Sequence, residues 1–164
     1  MATVALLPLL GGILLPNAGG LLSSLAINMR TLNEWYTNLE LPKWKPPNWL
    51  FGPAWLILYT LIGVSSYLVW KKGNGFHDSN TAFILVFYVI HLILNWLWVI
   101  FFFGFRNPEL GLYSIWLVDI TALATAILFF TIDKTAGLLF IPYLAWLGYA
   151  TALNTYIVSN EKKS

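Results

Sequence analysis

The chain has 164 residues, of which 59% are hydrophobic and only 10% charged, and its mean hydropathy is +0.71. A soluble domain carries about 25% charged residues, so this chain has too few polar side chains to cover a water-facing surface, and lipid is the remaining solvent. Cysteine is absent, which excludes disulfides, thiolate metal sites and cysteine nucleophiles; the net charge of +2 is scattered without a basic stripe, which argues against a nucleic-acid partner.

A helix that crosses the hydrocarbon core needs ~20 mostly apolar residues. Five windows satisfy this, at about 4–27, 48–70, 81–104, 110–132 and 137–158. The predicted fold class is an all-α integral membrane protein, with five transmembrane helices in a single bundle. The first window lies in an uncharged stretch, residues 1–29. It lacks the basic n-region of a signal peptide and outruns its apolar core, so it reads as a retained span, with cleavage as the alternative. The loop 28–47 then carries Trp35, Tyr36 and Trp44 among Arg30, Lys43 and Lys45, too aromatic for a plain linker. It is expected to cap one end of the bundle.

The second window follows Pro46-Pro47, which suits a helix start because a first-turn N–H is unbonded in any case. Within it Trp55 and Tyr59 are four apart and share a face. In the third window His91, Asn95 and Trp98 form a second stripe. Imidazole can hold haem iron, but no second convincing axial ligand accompanies His91, and no metal site is predicted. The fourth window holds Asp119, the only acid inside a span; such a group is a functional candidate by default, and the sequence names no partner for it. In the fifth, Trp146, Ala150, Leu153 and Asn154 share a stripe in which small Ala150 leaves room beside the indole. Asn95 and Asn154 are read equally well as interhelical hydrogen bonds or as ligand contacts. Small residues four apart, Ala122 with Ala126 and Gly148 with Ala152, permit close helix approach within one bundle or between two.

Lys and Arg in the loops set the expected orientation. One side collects Arg30, Lys43, Lys45, Arg106, Lys162 and Lys163, the other Lys71, Lys72 and Lys134. Six against three places the first loop and the C-terminus in the cytoplasm. An odd span count without internal duplication argues against a conventional paired-repeat transporter.

Nine Trp, eight Tyr and eleven Phe exceed what an interfacial belt requires. The belt accounts for Trp44, Trp49 and Trp70 near span ends, whereas Trp55, Trp98 and Trp146 lie about two turns inside. A buried indole N–H wants a partner, so these three face the bundle interior. Broad aromatic walls with a few polar groups are what a flat, apolar ligand needs. Phosphate loops, HExxH and GxSxG are absent from the chain, which leaves standard hydrolytic and phosphoryl chemistry without residues.

Trp44-Lys-Pro-Pro-Asn-Trp-Leu-Phe-Gly-Pro-Ala-Trp55 with Leu58-Tyr59, Asn95-Trp-Leu-Trp-Val-Ile-Phe-Phe-Phe-Gly104, Pro142-Tyr-Leu-Ala-Trp146 and Ala150-Thr-Ala-Leu-Asn154 fall in order along the chain. Together with Glu34-Trp-Tyr36 they resemble the translocator protein family, also called the peripheral-type benzodiazepine receptor or tryptophan-rich sensory protein family. The resemblance implies a homodimer of five-helix bundles with a ligand cavity beneath the first loop, in a bacterial or mitochondrial outer membrane. It implies porphyrin ligands, such as protoporphyrin IX or haem, and sterol or synthetic benzodiazepine-type compounds in some members, with no cofactor required. By motif position Trp55, Asn95, Trp98, Trp146, Ala150 and Leu153 would line the cavity, and Tyr59 joins them through its stripe with Trp55. Porphyrin breakdown reported for some bacterial members would use Trp55 and Trp146. The expected function is thus porphyrin binding with a sensing, scavenging or regulatory role. The alternatives are light- or oxygen-dependent porphyrin degradation and transport of porphyrin, lipid or sterol. Two departures stand out: Leu110 replaces a family aromatic, and the sterol pattern Leu153, Tyr156, Lys162 is stretched to its spacing limit.

Overall fold

A computed structural model describes residues 2–25, 27 and 34–161, with side chains from Leu6 onward. Arg30, Lys162 and Lys163 of the charge count, the start of the 28–47 loop, and Lys162 of the sterol pattern lie outside the described residues. The described chain is helical without strands: α1 (Ala2–Leu25), α2 (Asn48–Lys72), α3 (Ser79–Val99), α4 (Pro108–Ile132), α5 (Lys134–Leu138) and α6 (Ile141–Glu161). Five segments are long and apolar enough to cross a membrane, the last made of α5 and α6 together.

Polar residues mark where the helices begin. Asp78 accepts from the Thr81 amide and hydroxyl, each at 2.7 Å, at the start of α3. Asn107 accepts from the Leu110 amide at 2.9 Å, with Pro108 in the first turn of α4. Asp133 accepts from the Ala136 amide at 3.0 Å at the start of α5 and pairs with Lys72 of α2 at 3.2 Å. Such caps satisfy amides that the first helical turn leaves without partners. The hydroxyl of Thr81, and then its amide, hold Asp78 below its ordinary value, and the Ala136 amide, with Lys72 assisting, does the same for Asp133.

The third span outlasts its α-helix. Ile100–Gly104 form a π-turn, closed by Phe105 N–H donating to the Ile100 carbonyl at 2.9 Å. The fifth span breaks at Leu139 and Phe140, because Pro142 has no N–H to continue the ladder. The window 137–158 therefore corresponds to two helices rather than one.

Packing follows a ring: α1 lies against α2 and α3, α3 against α4, α4 against α5 and α6, and α2 touches α6 only lightly. The α1–α2 seam is glycine on glycine. A Cβ at Gly63 would sit 2.5 Å from the Gly12 carbonyl oxygen, so the backbones approach as only glycine permits. Pro16, which has no N–H, sits in the same part of α1. Asn17 donates to the Ile13 carbonyl at 2.8 Å, tying its side chain back onto the helix. Farther along, Gly20 lies under the ring of Tyr59 and Gly19 under the indole of Trp96. The outer faces carry exposed Leu7, Leu22, Leu56, Phe83, Ile120 and Ile127, as contact with lipid requires. Ala122 and Ala126 are buried inside the bundle, whereas Gly148 and Ala152 face outward.

The described part of the first loop lies over one end. Trp35 meets Phe102 edge-on at 5.7 Å and Tyr36 meets Phe103 at 6.0 Å, both on the π-turn. Trp44 packs on Tyr149 at 5.5 Å and accepts a hydrogen bond from its hydroxyl at 3.0 Å. Lys45 places its ammonium 5.5 Å from the Tyr36 ring centre, and burial, assisted by Tyr149, pushes the Tyr36 phenol up to about 12.

Candidate functional site

Trp55 is the hub of the interior. Its ring lies 5.2 Å from Tyr59, 6.3 Å from Trp98, 6.3 Å from Tyr143 and 6.4 Å from Trp146. Helices α2, α3 and α6 thus each contribute an indole to one cluster. Phe51 adds an edge-on contact to Trp146 at 5.8 Å, and Phe102 connects Trp98, at 6.0 Å, to the loop residue Trp35. Tyr59 donates its hydroxyl proton to Asn95 Oδ1 across the α2–α3 interface. Ala150 and Leu153 are both buried on α6. The structure therefore brings Trp55, Tyr59, Asn95, Trp98 and Trp146 into one connected group, with Ala150 and Leu153 farther along the helix of Trp146.

Three donors in this group have no acceptor: Asn95 Nδ2, Trp98 Nε1 and Trp146 Nε1, all shielded at the atom itself. A buried donor without a partner costs ~1–3 kcal/mol. That cost is removed by a ligand that brings an acceptor. On the α2–α6 side, where helix contact is sparse, a groove of about 460 Å³ runs from Pro46 along Leu50, Ala54 and Leu58 to Pro142, Ala145, Trp146 and Tyr149. Trp146 lines this groove and also touches Trp55, so it stands between the opening and the cluster.

His91 has a different environment. It is fully buried, with Nδ1 2.9 Å from Thr121 Oγ1 and Nε2 2.9 Å from the Tyr143 hydroxyl. Thr121 places its own proton on the Leu117 carbonyl at 2.8 Å, so its oxygen accepts from His91 Nδ1–H. Nε2 then accepts from Tyr143. The tautomer follows from these partners, and neither ring nitrogen is left for iron. Asp119, without a partner in the sequence reading, accepts from Thr151 of α6 at 2.7 Å. Asn154 donates to the Pro108 carbonyl at 2.8 Å, an interhelical bond between α6 and α4. Among the described residues there is no group of His, Asp and Glu able to hold a metal.

Tyr143 lies three residues before Trp146 and is a fourth neighbour of Trp55, a role that its position in the sequence does not mark. The spacing His91, Asn95, Trp98 was a signal for one face of α3, but pairing across to α6 depends on helix rotation.

The TspO/MBR family model matches residues 12–159. The chain belongs to the TspO/MBR family. It is 39% identical over 147 residues to the translocator protein of Homo sapiens, covering 90% of this chain and 86% of the human one. It is 43% identical over 125 residues to the tryptophan-rich protein TspO of Archaeoglobus fulgidus, covering 76% and 78% of the two chains. The tryptophan-rich sensory protein of Cereibacter sphaeroides is 38% identical over 122 residues, covering 74% and 73%. The TspO/MBR match takes in α2, α3, α4 and α5 whole, with nearly all of α6 and α1 from Gly12 onward. The chain is a multi-pass integral membrane protein of this family.

Proposed function

We propose that this protein binds porphyrin, or a similarly flat and largely apolar ligand bearing an acceptor group, in an intramembrane site around Trp55, and serves in sensing, scavenging or regulation. One observation carries the reading: three indoles from three helices meet around Trp55, and three N–H donors in that group lack acceptors. Broad rings supply dispersion and stacking surface, while the unmet donors favour a carboxylate or carbonyl edge. A porphyrin such as protoporphyrin IX has both. The names tryptophan-rich sensory protein and translocator protein among the relatives agree with a ligand-responsive membrane protein. Dimerisation and a cytoplasmic first loop and C-terminus remain part of this proposal.

A second reading, porphyrin breakdown in light or oxygen, draws support from the direct contact of Trp55 with Trp146. Titration of purified protein with protoporphyrin IX in darkness, followed by illumination, separates the two. Binding gives saturable quenching of tryptophan fluorescence in darkness. Breakdown gives porphyrin loss in light that stops when both Trp55 and Trp146 are replaced by Phe. Unsaturable quenching in darkness would remove the binding reading, and turnover indifferent to both indoles would remove the second. Transport would show as protein-dependent flux in reconstituted vesicles.

A further inference from the structure

Two tyrosines touch Trp55, and they differ in what their hydroxyl protons meet. Tyr59 is nearer, at 5.2 Å, but its hydroxyl donates to Asn95 Oδ1, an amide oxygen that does not take up a proton. Tyr143 lies at 6.3 Å and donates to His91 Nε2 at 2.9 Å. That nitrogen is unprotonated in the tautomer set by Thr121 and accepts from Tyr143 through its lone pair, and a phenol that has lost an electron is acidic enough to pass its proton even to a desolvated imidazole. Tyr143 and His91 are both completely buried, so the phenolic proton has no acceptor other than His91.

We propose that Tyr143 and His91 form a proton-coupled hole acceptor for Trp55. The inference rests on the reading of Trp55 as the wall of a site for a conjugated, light-absorbing ligand. The excited ligand takes one electron from the Trp55 indole, leaving a ligand radical anion and an indole radical cation. Tyr143 refills Trp55 with one electron while its phenolic proton moves to His91 Nε2. The products are a neutral tyrosyl radical and an imidazolium that still donates Nδ1–H to Thr121, so charge and electrons balance. Return of the electron from the ligand to Tyr143, with the proton moving back from His91, restores every group. Trp98 and Trp146 also touch Trp55, so a hole formed on either reaches the same sink. The pair protects the indoles of the site from irreversible oxidation by their own ligand. Proximity alone would favour Tyr59; proton chemistry selects Tyr143.

The test uses the full chain in detergent with azide radical generated by pulse radiolysis, which oxidises indoles with no ligand in the site. Transient absorption of the wild type should show the indole radical decaying as a tyrosyl radical grows. Tyr143→Phe should cut this component to what the surface pairs Trp44–Tyr149, Tyr67–Trp70 and Tyr113–Trp116 supply, and His91→Gln, which accepts a hydrogen bond but no proton, should cut it equally. Tyr59→Phe should keep it. A tyrosyl component untouched by Tyr143→Phe, or removed by Tyr59→Phe, overturns the relay. A parallel illumination with protoporphyrin IX reports on the ligand separately. With porphyrin bound, Tyr143→Phe should accumulate more oxidised Trp55 than the wild type, read by peptide mass, and equal accumulation overturns the relay. Failure of porphyrin to bind contradicts the proposed function, and the azide arm still decides the relay.

Discussion

The pocket around His91 and the cluster around Trp55 meet at Tyr143, yet they treat polar groups in opposite ways. Both His91 nitrogens are engaged, by Thr121 on α4 and Tyr143 on α6, so three helices are joined through one ring. Around Trp55 the donors of Asn95, Trp98 and Trp146 are shielded but unmatched. In a bilayer, where water does not rescue a buried donor, the first arrangement stabilises a fold and the second keeps a binding capacity in reserve. Polarity inside the membrane is therefore not one signal. Its meaning depends on whether the partner is already in the chain.

Substitutions that treat the two regions alike should separate them. The largest effect is expected for His91→Ala, which leaves a cavity and strips the Tyr143 hydroxyl of its acceptor; a loss of about 3 kcal/mol follows, measured by thermal unfolding in detergent. Trp98→Phe, at a comparably buried position, removes a donor that had no partner. Its stability should stay within about 1 kcal/mol of the wild type while porphyrin affinity falls about tenfold. Equal stability losses for the two variants would erase the distinction.

Away from both regions, Gly63→Val drives a side chain into the α1 backbone at Gly12 and Ile13. A cost of about 1–3 kcal/mol is expected from overpacking, with Gly20 and Gly19 shifted off Tyr59 and Trp96. Asn107→Ala removes the cap of α4 and should cost about 1 kcal/mol by the same measurement. The smallest effect concerns acid. Asp78 and Asp133 titrate below their ordinary values, so their contribution is complete above about pH 4 and is lost as pH falls through their folded values. A melting temperature that rises on acidification below that point would contradict the two caps.

The five spans were legible because lipid leaves a coarse imprint: long apolar windows between charges, and few alternatives to helix. α2 starts at Asn48, directly after the two prolines. The break before Ile141 was not legible, since Leu139 and Phe140 are as apolar as a continuous span and only Pro142 hints at the interruption. The convergence of Trp55, Trp98 and Trp146 followed from stripes and motif positions, each a property of a single helix. The bonds from His91 to Tyr143 and from Asp119 to Thr151 depend on how helices rotate against one another, which no one-dimensional spacing encodes. The groove between α2 and α6 belongs to that same category: it lies where the two helices make little contact, and its lining is ordinary apolar sequence.

The claim that unmatched donors make the Trp55 cluster a binding site is tested most directly by dark titrations with protoporphyrin IX and its dimethyl ester. The free acid offers charged acceptors, which form hydrogen bonds roughly twice as strong as neutral ones. Wild-type protein should bind the acid about tenfold more tightly than the ester, and Trp98→Phe should shrink that gap. Equal affinity for acid and ester in the wild type would contradict the account.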